Sequence, residues 1–202
     1  FAQNILVSNS KDRNLVKAYT EDLDIHDMTA DNLDVDRDVG KTVNYSVLYK
    51  IGAEALQTAL KDEGIIVTKN EAYQYINDWF NGYRGVKKFY KNVQKQLMNT
   101  NYVMTLMGRK RYFTKEEITS DNVWKYERFG GNSIIQGSGS DLINLSTVNL
   151  YERIQEENLP MDILLSVHDE LVVETDKKCA EEMGEIVTEE METPVEISVP
   201  IE

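Results

Sequence analysis

Arg37, Lys41, Tyr45 and Tyr49 recur at every fourth position of one stretch of the chain. On an α-helix each step of four turns about 400°, so the row drifts only ~40° per step and stays on one side. Val39, Val43, Val47 and Ile51 are offset from it by two residues and fall on the opposite side. Such a helix has an apolar back and a front graded from two cations to two rings over about 18 Å. Cations at the amino end add to the helix's positive pole and suit a polyanion. Flat rings further along suit a sugar and a base. The chemistry this front would serve is the grip of a nucleoside triphosphate lying along the helix. A solvated cationic face with two half-buried tyrosines would show the same spacing.

Two further constellations carry polar chemistry. Arg128, Asn132 and Gln136 again stand four apart, on a segment that continues as a helix through Leu142, Leu145 and Val148. An Arg fork and two carboxamides can meet phosphates or minor-groove base edges, where acceptors common to all base pairs report pair shape rather than sequence. Residues 162–167 and 170–174 are β-prone runs joined at His168 and Asp169. They predict a tight hairpin with charged residues at its tip; a plain acidic turn would read the same way.

The elements that must position these groups are mostly helical. Residues 1–19 begin apolar, break at Ser8, Asn9 and Ser10, and resume as a short helix around Leu15, Val16 and Tyr19. Acidic residues 31–38 lack the glycine and glutamate of a calcium loop and instead lead into the helix that starts near Arg37. Residues 53–60 predict a helix ended by Gly64, and Thr68 with Glu71 is a capping box opening another through Trp79 and Phe80. Residues 86–98 form a third, with Val86, Phe89, Tyr90, Val93 and Leu97 inward and lysines outward. Residues 102–106 predict a strand entering a turn at Gly108, with Arg109, Lys110 and Arg111 on that turn. Residues 177–191 form an acidic helix packed through Cys179, Met183, Ile186 and Val187, and residues 195–201 one last strand.

The net charge of −13 is unevenly spread. Residues 150–202 hold sixteen acidic side chains against Arg153, Lys177 and Lys178, which accounts for all of it. The rest is neutral overall, and within it residues 79–115 carry nine cations and no acid. An uncompensated block of that kind is the expected footprint of a phosphate backbone, though it also serves solubility. The 202 residues can bury a real core as one large or two small domains. No run is long and apolar enough for a membrane span, no leader is evident, and the lone Cys179 points to a reducing compartment.

The Arg37, Lys41, Tyr45, Tyr49 row resembles the fingers helix of family A DNA polymerases, the bacterial polymerase I type with phage and organellar relatives. Upstream, Asp24-Ile25-His26 with Thr29-Ala30 is similar to that family's Asp-Ile-His-x-x-Thr-Ala. Thr105-Leu106 with Gly108-Arg109, then Arg128 with Asn132 and Gln136, then Val167-His168-Asp169-Glu170, follow in the family's order across nearly the whole chain.

The resemblance implies an α+β fold: a mostly helical fingers subdomain plus part of an antiparallel-sheet palm of a right-hand polymerase. It implies a palm-to-fingers segment over 1–36, fingers over 37–127 and palm over 128–202. His26, Arg37, Lys41 and Tyr45 would bind the nucleotide. Tyr49, Arg109, Arg111, Arg128, Asn132, Gln136 and His168 would meet DNA. Asp169 would be the catalytic, metal-binding carboxylate with Glu170 secondary, and Lys41 would act in catalysis as well. Phosphoryl transfer of this type relies on two Mg²⁺ in the complete enzyme. The implied partners are primer-template DNA, deoxynucleoside triphosphates and the rest of a parent chain, with no membrane. The implied setting is bacterial or phage-infected cytoplasm, or an organelle.

Four departures stand out. The family's other metal-binding Asp, in an Asp-x-Ser-x-x-Glu segment, has no counterpart here, so the chain is expected to be a fragment inactive alone. A non-catalytic nucleic-acid-binding module, degenerate or split from a polymerase, is the alternative. Tyr45 stands where many members have Phe, which implies tolerance of dideoxynucleotides in the parent enzyme. Lys50 and Arg84 replace a usual Gly and Pro.

Overall fold

The structure, a computed structural model, describes residues 2–114, 118–119, 121–195 and 199. Helix starts follow from caps written in the sequence. The Asp12 carboxylate accepts from the amides of Asn14 and Leu15 (3.0 and 3.2 Å) and opens α2 (Arg13–Thr20) after α1 (Ala2–Ser10). Asp24 does the same for His26 and Asp27 (2.7 and 3.2 Å) at the start of α3 (Ile25–Leu33). Thr68 and Glu71 form the expected capping box of α6 (Lys69–Gly82). Between these lie α4 (Arg37–Leu48) and α5 (Ala53–Asp62), and α7 (Arg84–Thr100) follows.

After α7 comes a short hairpin, β1 (Tyr102–Met104) with β2 (Lys110–Tyr112), turning at Gly108 in the left-handed region. Then α8 (Val123–Glu157) runs unbroken for 35 residues and ends on Asn158, also left-handed. A second antiparallel hairpin, β3 (Met161–Val167) with β4 (Glu170–Thr175), turns on His168 and Asp169 alone. His168 carries φ +56° at that tip. The last described helix is α9 (Ala180–Glu192), tied to α8 by Arg153, whose guanidinium bonds Glu189 and Glu190 at 2.7 and 3.0 Å.

Two apolar clusters organise these elements. The larger runs from Ile5 and Leu15 through Val43, Leu60, Trp79 and Tyr90 to Ile135 and Leu142 of α8. The smaller gathers Leu150 and Ile154 of α8 with Met161 and Met183. Glycines allow two close helix crossings. A Cβ on Gly131 would lie 2.4 Å from the Tyr90 ring, and one on Gly40 would lie 2.8 Å from the His26 carbonyl.

Several local expectations are corrected. The first break falls at Lys11, with φ +49°, because Ser8, Asn9 and Ser10 still belong to α1. Helix α3 was not legible, since its apolar residues are sparse and its acids look like loop. Helix α4 stops at Leu48, so Tyr49 is its cap and Lys50 turns left-handed at φ +50°. Asp36 stands at the N-cap position of α4, yet its side chain caps nothing. Lys110 and Arg111 lie in β2 rather than on the turn. Six of the residues expected to form strands or cations at the edges, Lys115, Glu196, Ile197, Ser198, Pro200 and Ile201, lie outside the described residues.

Candidate nucleotide and nucleic-acid site

Helix α4 presents its row as the spacing predicts: Val39, Val43 and Val47 are buried while Arg37, Lys41 and Tyr45 are exposed. Tyr45 is 47 % exposed and its ring lies 5.6 Å from that of His26, tilted by 41°. The arrangement of His26 is set from inside the core by Asn44, a residue the sequence did not single out. Asn44 is 3 % exposed; its Oδ1 accepts from Trp79 Nε1 at 2.6 Å and Thr29 Oγ1 at 2.9 Å. Thr29 spends its only proton on that oxygen, so the Tyr83 hydroxyl, 2.7 Å away, donates to Thr29. With its oxygen fixed, Asn44 must turn Nδ2 toward the Ile25 carbonyl (3.2 Å) and His26 Nδ1 (3.0 Å). Nδ1 is therefore an acceptor and the ring proton sits on Nε2. Burial, the largest influence, pushes the His26 pKa below its usual value, which agrees with a neutral ring.

The cationic end differs from expectation. Arg37 is not free: its guanidinium holds Asp24, the N-cap of α3, at 2.5 Å and Asp27, in its first turn, at 3.1 Å. This pairing lowers the Asp24 pKa to about 2, with the Arg37 hydrogen bond as the main cause. A phosphate at Arg37 must compete with two carboxylates. Lys41 is exposed and carries no ion pair among the described residues.

Tyr49, 37 % exposed, shares a cleft with the acid at the hairpin tip. Tyr49, Gln136, His168 and Asp169 line one cleft of about 540 Å³, completed by Ile5, Ser140, Asn144 and Ser166 among others. Glu170, one residue further, does not line it. A second cleft of about 250 Å³ brings Arg109, Arg111 and Gln136 together with Ser133 and Ser140. Gln136 and Ser140 are common to both, so one face of α8 floors a groove between the two hairpins. Ser140 and Asn144 were missed although they extend the four-residue row of Gln136 by two more steps, and Ser166 carries no spacing signal of its own.

Three predicted DNA contacts are placed differently. The Arg109 guanidinium is held by Asp141 at 2.7 Å and by the Gly137 carbonyl at 2.9 Å, so it pins β1–β2 to α8. Arg128 faces another cleft of about 560 Å³ with Lys50, Tyr73, Trp124 and Phe129. Asn132 is partly buried, and its Oδ1 has no hydrogen-bond partner among the described residues. The stripe of three divides because a four-residue repeat drifts about 80° over two steps.

Lys50 is held by a buried acid. Its ammonium pairs with Glu127, which is 5 % exposed, and lies 4.6 Å from the Tyr90 ring centroid. Glu127 also accepts from Gln94 at 2.6 Å, and the Tyr90 hydroxyl donates to the Leu48 carbonyl at 3.0 Å. The end of α4 is thereby tied to α7 and α8.

The hairpin tip offers one carboxylate, Asp169, to the main cleft, and no three His, Cys, Asp or Glu converge elsewhere among the described residues. Magnesium accepts one or two carboxylates with water and substrate oxygens completing its shell. Asp169 fits one such ligand. No described helix is long and apolar enough to cross a membrane.

Comparison with known proteins bears on this arrangement. The sequence profile of DNA polymerase family A matches residues 4–202. The chain is 35 % identical over 207 positions to a DNA polymerase I of Caldicellulosiruptor bescii and 34 % to one of Bacillus caldotenax. Each match covers 98 % of this chain but 24 % and 23 % of those proteins, so it spans about a quarter of their length. The structure is similar to the POL domain of Pol1 from M. smegmatis, solved in complex with DNA primer-template and dNTP. That match has a TM-score of 0.86 at 28 % identity and covers all of this chain and 36 % of the other.

Proposed function

Because the chain belongs to DNA polymerase family A, we propose that it forms the fingers and part of the palm of an enzyme that extends a primer along a DNA template. The observation that carries this reading is the cleft in which Tyr49 of the α4 cap faces Asp169 of the hairpin across the Gln136 face of α8. Residues 1–36 would lead from palm to fingers, 37–127 form the fingers and 128–202 the palm.

In this reading Lys41 and the Nε2–H of His26 bind the triphosphate oxygens, and Arg37 joins them once it exchanges Asp24 and Asp27 for phosphate. Charge-assisted contacts that strengthen as the leaving oxygen gains charge favour the transition state over the ground state. Tyr45 packs on the sugar and base, and Tyr49 stacks at the template side. Gln136 reads the minor groove from the floor of the cleft, Arg111 meets the backbone in the second cleft, and His168 lies beside the primer end. Arg109, Asn132, Arg128 and Glu170 play secondary parts, the first by holding the β1–β2 hairpin in place. Asp169 would hold a Mg²⁺, which when bound neutralises charge on phosphoryl oxygens. The second carboxylate of a two-metal site is proposed to come from the rest of the parent chain. Tyr45 in place of Phe would let the parent enzyme accept dideoxynucleotides.

Primer extension by the complete parent chain tests the reading. Asp169→Ala is expected to abolish synthesis while leaving primer-template binding within a few-fold; appreciable residual synthesis refutes the assignment. Lys41→Ala is expected to weaken nucleotide binding and to slow the chemical step.

A further inference from the structure

The outer face of α7 carries Arg84, Lys87, Lys88, Lys91 and Lys95, all exposed. At 100° per residue these five fall within an arc of about 100° and extend about 17 Å along the axis. Val86, Phe89, Tyr90, Val93 and Leu97 occupy the opposite arc and are buried against α1 and α8. None of the five cations has an ion-pair partner among the described residues. At its amino end the row opens on a cleft of about 550 Å³ lined by Lys11, Arg13, Arg84 and Lys88, with Asp12 the one carboxylate there. That carboxylate is already engaged: it caps α2 and accepts from the Gly85 amide at 2.5 Å. The result is seven mutually repelling cations with one carboxylate, Asp12, among them, in a chain of net charge −13. Lone surface lysines need no explanation, but a single-sign row on one helix face of an acidic protein stores repulsion that a polyanion relieves.

We propose that this face is a track for single-stranded nucleic acid, namely the uncopied template ahead of the cleft. The apolar side of α7 meets Gly130 and Gly131 of α8, so the basic side points away from the groove floored by Gln136. A strand lying there is thus a different stretch from the duplex in that groove. The row is one helix face wide and has no ring or aliphatic side chain between Arg84 and Lys95 within its arc. It meets one backbone by charge alone, without base readout. The choice of strand rests on the polymerase reading; the track itself does not.

The test is fluorescence anisotropy with the complete parent chain across a salt series. Its probes are a primer-template carrying a 20-nucleotide dT 5′ overhang, the same duplex blunt, the duplex with a downstream strand bearing a displaced flap, and dT20 alone. The triple variant Lys87→Gln/Lys91→Gln/Lys95→Gln is compared with a charge-matched control, Lys61→Gln/Lys177→Gln/Lys178→Gln. The α7 variant is expected to lose tenfold or more in affinity for the overhang probe. Its slope of log K against log salt should shrink by about 2, at ~0.7 per phosphate contact. The blunt duplex should bind within twofold of wild type, and the control should change no probe. Equal loss in variant and control, equal loss on the blunt duplex, or loss confined to the flap probe would each overturn the proposal. So would competition by polyglutamate matching that by dT20, which would make the face a site for acidic polypeptide. A wild-type parent chain that ignores the blunt duplex yet binds dT20 through these lysines would sink the polymerase reading and leave the track standing.

Discussion

Asn44 holds His26 from behind, and two substitutions separate its roles. Asn44→Leu leaves the Trp79 N–H unpaired in the core and the Thr29 hydroxyl with Tyr83 as its only partner. An orphaned buried donor costs about 1–3 kcal/mol, and part of a second contact goes with it. The expected loss is about 2–3 kcal/mol, which at a urea slope of about 2 kcal/mol/M lowers the midpoint by about 1–1.5 M. Asn44→Asp keeps the acceptor for Trp79 and Thr29, so its stability near pH 7 should fall less. It replaces the donor to His26 Nδ1 by a carboxylate, which turns that nitrogen into the preferred proton site. The assay is a proton NMR titration, read easily because His26 and His168 are the only histidines. In the wild type His26 should titrate below the usual 6.5, since burial disfavours its charged form. Its contribution to stability is then full above that value and falls as pH drops through the lowered pKa. In Asn44→Asp the pKa should rise, and the sign inverts: stability gained at low pH is lost on raising it. A wild-type His26 that titrates at 6.5 or higher, or a pKa unmoved by Asn44→Asp, would refute the tautomer argument.

Other expectations follow from single contacts. Glu127→Ala should cost about 3 kcal/mol, since it strands the Lys50 ammonium beside Tyr90 and frees Gln94, and should lower Tm by roughly 6–12 °C. Lys50→Gly combined with Glu127→Leu should recover most of that, because removing both charges leaves none unpaired. Gly131→Ala should destabilise by about 1–3 kcal/mol in urea melts, as its Cβ would meet the Tyr90 ring at 2.4 Å. Asp24 titrates near 2 in the folded chain against 3.8 ordinarily, so its stabilising effect is present above about 4 and lost between there and 2. Melting temperature followed from pH 5 to pH 2 should show that loss in the wild type and a smaller one in Asp24→Asn. In the same variant Arg37, left with Asp27 as its one paired carboxylate, should bind triphosphate more tightly at low salt, an effect that vanishes in 0.5 M salt.

The parts of the site written in short-range spacing were legible. Four-residue steps gave the exposed face of α4, two β-prone runs gave the hairpin that lifts Asp169, and the Thr68–Glu71 box fixed the start of α6. What escaped was set by long-range contact. Arg37 reads as a free cation until α3 lies against α4 at Gly40 and brings Asp24 and Asp27 to it. Arg109 reads as a DNA contact until Asp141, 32 residues on, takes its guanidinium. Asn44 sits on the apolar back of α4, where a polar residue without visible partners signals a buried network, but its partners Thr29, Trp79 and His26 come from two other helices. Tyr49 reads as helical because its period continues, whereas Lys50 breaks the helix in order to reach Glu127.

The 35-residue length of α8 has a mechanical consequence. One unbroken rod crosses α7 at Gly131 and supports the β3–β4 hairpin near Leu150, about 29 Å further along at 1.5 Å per residue. Over that lever arm a tilt of about 2° swings the far end by about 1 Å, enough by the usual tolerance of reacting groups to cost about a hundredfold in rate. Small changes in how residue 131 seats against its neighbour are thereby carried along α8 to the base of the hairpin whose tip holds Asp169.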